Sequence, residues 1–99
     1  MEVVARNSHY ELVVLENAVF EDYENILNYL MAEMILTDVD EIDDFDSHYQ
    51  LFKYNEQIII LFYSNFLGIS IYFDDKTVDN GVQQKVLNEF LEVLKKRNQ

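Results

Sequence analysis

Six carboxylates fall within nine residues: Asp38, Asp40, Glu41, Asp43, Asp44 and Asp46. Oxygen ligands at this density could serve calcium, which takes about six to eight of them. An EF-hand loop, however, needs glycine at its sixth place and glutamate at its twelfth. Counted from Asp38, those places hold Asp43 and Tyr49, so the pattern specifies no metal site. A solvated acidic loop and a docking surface for a basic protein remain. The chain has no cysteine, hence no thiolate ligand and no disulfide framework. His9 and His48 stand alone, without ligand spacing, and read as surface or edge-strand residues. Ser8, Ser47, Ser64 and Ser70 lie in no nucleophile elbow, and no glycine-rich loop could cradle a phosphate. Scattered Asp and Glu residues give no acid–base pair without geometry. The expectation is a protein that is not an enzyme and carries no cofactor.

Charge is the informative feature. Between Asn7 and Phe52 there are twelve acids and no Lys or Arg. The seven acids outside that stretch are matched by the seven bases, so the whole formal charge of −12 originates in the first half. Such a chain repels nucleic-acid phosphates and anionic membranes and attracts basic proteins. The expected partner contacts are Asp38, Asp40, Glu41, Asp43, Asp44 and Asp46, helped by Glu21 and Glu24, with Tyr49 as an aromatic anchor.

The elements that must position these residues follow from periodicity. At 99 residues and 49% apolar composition, residues 1–99 suit a single domain with a real core. No apolar run reaches the roughly 18 residues of a membrane span, and the first residues lack a signal-peptide pattern, so the expected location is the cytoplasm. The stretch Gln57–Phe73 reads as two strands, Ile58 to Tyr63 being apolar or aromatic throughout and Ile69, Ile71 and Phe73 alternating with Ser70 and Tyr72. Ser64-Asn65 supplies turn chemistry between them. His48 to Tyr54 alternates as a strand, and Asn55-Glu56 forms a two-residue hairpin loop without the usual glycine. Tyr10 to Leu15 is a further strand, the one N-terminal strand of the expected order, with Val3-Val4-Ala5 a candidate hairpin partner for it. Tyr23, Ile26, Leu27, Leu30, Met31 and Met34 make a helical stripe over Phe20–Ile35, and Val82, Val86, Leu87, Phe90, Val93 and Leu94 make a second up to Lys96. Asn80 with Gln83 resembles a helix-start box. The Asp-rich span Leu36–Ser47 reads as a connection.

The expected fold is therefore α+β and two-layered, an antiparallel meander of 3–4 strands with two helices on one face, in the order β-α-β-β-β-α. Pairing Tyr54 with Gln57 and Ser64 with Leu67 places Tyr49, Leu51, Ile58, Ile60, Phe62, Ile69, Ile71 and Phe73 on one face, the expected seat of the helices. The other face then carries Phe52, Tyr54, Ile59, Leu61, Tyr63 and Tyr72, and a homodimer could form through Tyr54, Tyr63 and Tyr72.

The acid-only stretch Glu11 to Asp46, the aromatic meander HYQLFKY, QIIILFY and LGISIYF, and the lack of a catalytic motif resemble the small acidic immunity proteins of bacterial polymorphic toxin and contact-dependent inhibition systems. The resemblance implies a cytoplasmic inhibitor that blocks a cognate toxin, often a basic nuclease, with the acidic face standing in for substrate phosphates or capping the cleft. Two other functions fit the same composition. One is a phage-type nucleic-acid mimic acting against a host DNA-binding machine. The other is a small homodimerising structural domain whose charge serves solubility.

Overall fold

The computed structural model describes residues 1–97. Strands β1 (Glu2–Ala5) and β2 (Tyr10–Leu15) precede helix α1 (Phe20–Glu33). Strands β3 (Thr37–Asp43), β4 (Ser47–Tyr54), β5 (Gln57–Ser64) and β6 (Gly68–Phe73) follow, and helix α2 (Asn80–Arg97) completes the described chain. The fold is α+β, a six-stranded antiparallel sheet in the spatial order β1-β2-β6-β5-β4-β3 with two helices. The order β-β-α-β-β-β-β-α corrects the expected β-α-β-β-β-α. Val3-Val4-Ala5 does pair with β2, and Thr37–Asp43, expected as a connection, is the edge strand β3. Aspartate is a poor strand former, but an edge strand has one side in water and tolerates charge there. No helix among the described residues is long and apolar enough to cross a membrane.

The β4–β5 register is the expected one, with Tyr54 opposite Gln57, Leu51 opposite Ile60 and Tyr49 opposite Phe62. Its turn holds Asn55 at φ 48° and Glu56 at φ 68°, the left-handed pair that a two-residue hairpin requires. Asn tolerates this conformation; Glu does so at a cost of about 1 kcal/mol. Glu56→Gly is therefore expected to raise stability by about 0.5–1 kcal/mol, read as a higher urea midpoint with unchanged slope. A lower midpoint would show that the Lys53–Glu56 contact at 3.5 Å outweighs the backbone strain.

The β5–β6 register departs from expectation by one residue. Ser64 pairs with Gly68, not Leu67, across a three-residue loop, and its Oγ accepts the N–H groups of Phe66 and Leu67 at 3.1 and 3.3 Å. Because strand faces alternate, this step moves Ile69, Ile71 and Phe73 to the side of Ile59, Leu61 and Tyr63. The helices cover that side, opposite to the expected seat. The core joins Leu12, Val14, Phe52, Ile59, Leu61, Tyr63, Ile69, Ile71 and Phe73 to Tyr23, Ile26 and Leu30 of α1 and to Val86, Leu87, Phe90 and Leu94 of α2. Phe90 stacks on Phe52, with ring centroids 6.0 Å apart, and meets Tyr54 edge-on at 5.2 Å. The helices are tied together by the Tyr29 hydroxyl, which donates to the Val93 carbonyl at 3.1 Å.

Helix α2 starts differently from the Asn80/Gln83 expectation. Asp79 caps it, its carboxylate accepting the N–H groups of Gly81 and Val82 at 2.9 and 3.2 Å. Gln83 is instead fully buried. Its Oε1 accepts the Tyr10 N–H at 2.9 Å, while its Nε2 donates to the carbonyls of Val78 and Lys76 at 2.7 and 3.3 Å. Every polar end of this side chain is thus satisfied, and it fastens α2 to strand β2. At the start of α1, the Asp22 carboxylate accepts the Val19 N–H at 2.9 Å, and Glu21 adds a second acid where the helix dipole favours negative charge.

Candidate partner-binding surface

Strand β3 gathers the acidic stretch onto one edge of the molecule, with every residue from Thr37 to Asp43 exposed. A bulge at Val39 interrupts the ladder between the pairs Asp38–Phe52 and Asp40–Leu51. Gln50, 5% exposed, holds the bulge: its Nε2 donates to the Asp38 carboxylate and to the Asp40 carbonyl at 3.1 Å. Opposite partners share a face, so Asp38, Glu41 and Asp43, facing Phe52, Gln50 and His48, lie on the helix side. Asp40 and Ile42, facing Leu51 and Tyr49, lie on the other side. Asp44 and Asp46 belong to the β3–β4 turn, closed by the Asp44 N–H donating to the Ser47 carbonyl at 2.8 Å, with the ring of Phe45 fully exposed at its tip.

The candidate residues therefore form one edge but not one flat face. Glu21 and Glu24 are exposed on α1, on the helix side. Tyr49 points to the opposite side, where it packs against Phe62 with ring centroids 5.0 Å apart. Strand alternation splits the carboxylates in the same way, and among the described residues no group of three His, Asp or Glu side chains is placed to hold a metal ion.

At the helix-side corner, four rings come together. Phe20 and His48 lie 4.6 Å apart between centroids, Tyr23 lies 5.9 Å from His48, and His48 stacks on Tyr63 at 6.0 Å. The His48 Nδ1 contacts the Asp43 carboxylate at 2.5 Å. Tyr23 is 3% exposed and its hydroxyl has no hydrogen-bond partner among the described residues. Burial, and then the charges of Glu41 and Asp43, push its pKa far above the ordinary phenol value. Sequence reasoning missed this corner. Phe20 and Tyr23 share the first turn of α1, but His48 lies 25 residues beyond Tyr23, and only the formation of β3 brings Glu41 and Asp43 beside them.

The sheet face away from the helices is uncovered by either helix. Its middle is apolar and aromatic, with Tyr49, Leu51, Ile58, Ile60, Phe62 and Tyr72 on neighbouring strands. A shallow depression of ≈ 780 Å³ runs from Tyr49, Phe62 and Tyr72 to Arg6, His9 and Glu11. Glu11 binds Arg6 at 3.5 Å and His9 at 3.3 Å, and the Lys76 Nζ sits 5.8 Å from the Tyr72 ring. The proposed dimer face of Tyr54, Tyr63 and Tyr72 is not a face. Tyr63 is 3% exposed in the core, Tyr54 packs on Phe90 with its hydroxyl donating to Glu89 at 3.3 Å, and Tyr72 belongs to the open side. The extra residue in the β5–β6 loop is the cause.

Burial, followed by Tyr49, Glu11 and Asp74, pushes the Tyr72 pKa up to about 12. An unfolded phenol titrates near pH 10, roughly. The folded state therefore keeps a proton that the unfolded state loses, and the associated stability is present in full below about pH 10 and disappears as the pH climbs toward the folded value. Chemical denaturation at stepped pH is expected to show stability falling between about pH 10 and 12, less steeply in Tyr72→Phe. Identical slopes in the two proteins would contradict this placement of Tyr72.

Comparison with family models, with curated proteins and with solved structures gives no match for the chain.

Proposed function

We propose that the chain is a non-enzymatic binding protein that neutralises a basic protein partner, acting in the cytoplasm as an immunity protein against a cognate toxin of the nuclease type. The observation that carries this reading is the folding of the acid-only stretch into an exposed edge strand and hairpin tip. Asp38, Asp40, Glu41, Asp43, Asp44 and Asp46 then present charge along one rim of the molecule. Mutual repulsion along such a rim weakens the free protein and is relieved by a cationic surface, which the same field draws in. Phe45 at the tip, and Ile42 and Tyr49 on the adjoining sheet face, supply apolar contact area beside the charge, where affinity is gained. Acidic residues also guard sheet edges against self-pairing. That role is compatible with partner binding, because the charge that rejects a second copy of β3 accepts a basic surface.

The test is capture from the source-cell lysate at low ionic strength, release by a salt step and identification by mass spectrometry, followed by co-expression. The expected result is one strongly basic protein that arrests growth when expressed alone and is silenced by this chain. A captured protein that is harmless, or whose toxicity persists in the presence of the chain, would overturn the neutralising role.

A further inference from the structure

We propose that the corner between the start of α1 and the β3–β4 hairpin receives an arginine side chain of the partner, held by the Glu41 and Asp43 carboxylates against the rings of Phe20 and His48. The inference rests on the basic-partner reading and names the side chain that the acidic edge takes in. Its first support is the pairing register. Asp43 opposite His48 and Glu41 opposite Gln50 project on the α1 side of the sheet, whereas Asp40 does not. The second is the aromatic floor. Phe20 is 40% exposed although its ring lies 4.6 Å from His48 and 5.7 Å from Tyr23, leaving an apolar surface open beside two carboxylates. The third is independent of the acids. The Tyr23 hydroxyl, in a side chain 3% exposed, is buried without a hydrogen-bond partner among the described residues. A buried polar group left unpaired is costly, and native proteins rarely leave one without a use.

Guanidinium chemistry matches these features together. It is planar and stacks on an aromatic ring, it offers five donors in a fixed fork, and it binds carboxylates two bonds at a time. Stacked on Phe20, it would turn its donor edge toward the Asp43 and Glu41 carboxylates, which lie on the same side of the sheet and act electrostatically on Tyr23. A lysine ammonium would supply the charge but neither the stacking nor the fork.

The experiment is an NMR titration of the isotope-labelled full chain with N-acetyl-arginine amide, and separately with N-acetyl-lysine amide, at constant ionic strength. The expected result is a saturable set of shifts confined to Phe20, Tyr23, His48, Glu41 and Asp43. The arginine compound should bind at least about fivefold more tightly than the lysine compound, and Phe20→Leu should remove most of that preference. Glu41→Gln with Asp43→Asn should weaken both ligands while the spectrum stays dispersed as in the parent. Equal shifts from the two compounds, or shifts spread over Asp44, Asp46, Asp74 and Asp75, would show simple screening and overturn the site. In that case, a basic partner still captured equally well by Phe20→Leu would leave the binding-protein reading standing. Failure of the parent chain to capture any basic partner would end both.

Discussion

Gly68→Ala is expected to leave the domain largely unfolded at 37 °C, with a stability loss of about 4 kcal/mol or more. Gly68 has φ 80°, a conformation that costs an L-residue about 1–2 kcal/mol by itself. Steric overlap with neighbouring backbone costs more. A Cβ built there would lie 2.0 Å from the Leu15 carbonyl oxygen and 2.6 Å from that of Glu16. Both are backbone atoms at the end of β2, so no side-chain rotation relieves the overlap. Either β2 separates from β6 at that end or the β5–β6 loop is rebuilt. Rebuilding the loop threatens the register that places Ile69, Ile71 and Phe73 in the core. Urea denaturation followed by circular dichroism measures the loss. An unfolding free energy within about 1 kcal/mol of the parent would mean that the close approach of β2 to Gly68 is not required by the fold.

The second large effect is expected on association. The variant Asp38→Asn, Asp40→Asn, Glu41→Gln, Asp43→Asn moves the formal charge of −12 four units toward zero and empties β3 of its carboxylates. With a basic partner, the association rate constant should fall by about 10²-fold at low salt, within the range that electrostatic steering supplies. The difference should shrink as the ionic strength rises past about 0.15 M, where the screening length is about 8 Å. The fold should persist and its stability hold or rise, because the removed charges repel one another. Asparagine at position 38 keeps an oxygen for the Gln50 amide, and at position 43 one for His48. Stopped-flow or surface-binding kinetics against the captured partner gives the rate. Equal rates for parent and variant at low salt would remove β3 from the binding surface.

Much of the architecture is legible in the residue pattern. Apolar residues three and four apart define both helices, since that spacing lines one stripe of a helix however the rest of the chain folds. Asn55-Glu56 between the alternating run of β4 and the apolar run of β5 fixes the β4–β5 register, because a two-residue loop leaves only one way to pair the strands. The acid-only half is plain in the composition. The face of the sheet that the helices cover is not. Strand β5 is apolar on both sides, with Ile58, Ile60 and Phe62 on one and Ile59, Leu61 and Tyr63 on the other, so its own pattern favours neither. The decision falls to β6, and to the single loop residue that sets which way Ile69, Ile71 and Phe73 point.

The candidate surface divides in the same way. Two helices, the central hairpin and a carboxylate-rich stretch with no base inside it follow from the order of the residues alone. Local periodicity and composition are properties of neighbouring residues and need no distant partner. That Thr37–Asp43 is a strand depends on its distant partner: its aspartates are tolerated there by pairing on one side with β4 and by water on the other. That pairing then separated Tyr49 from Glu41 and Asp43 and set those two carboxylates beside Phe20, Tyr23 and His48. Which side chains meet across a sheet depends on register, and register is settled by the whole core at once rather than by any one segment.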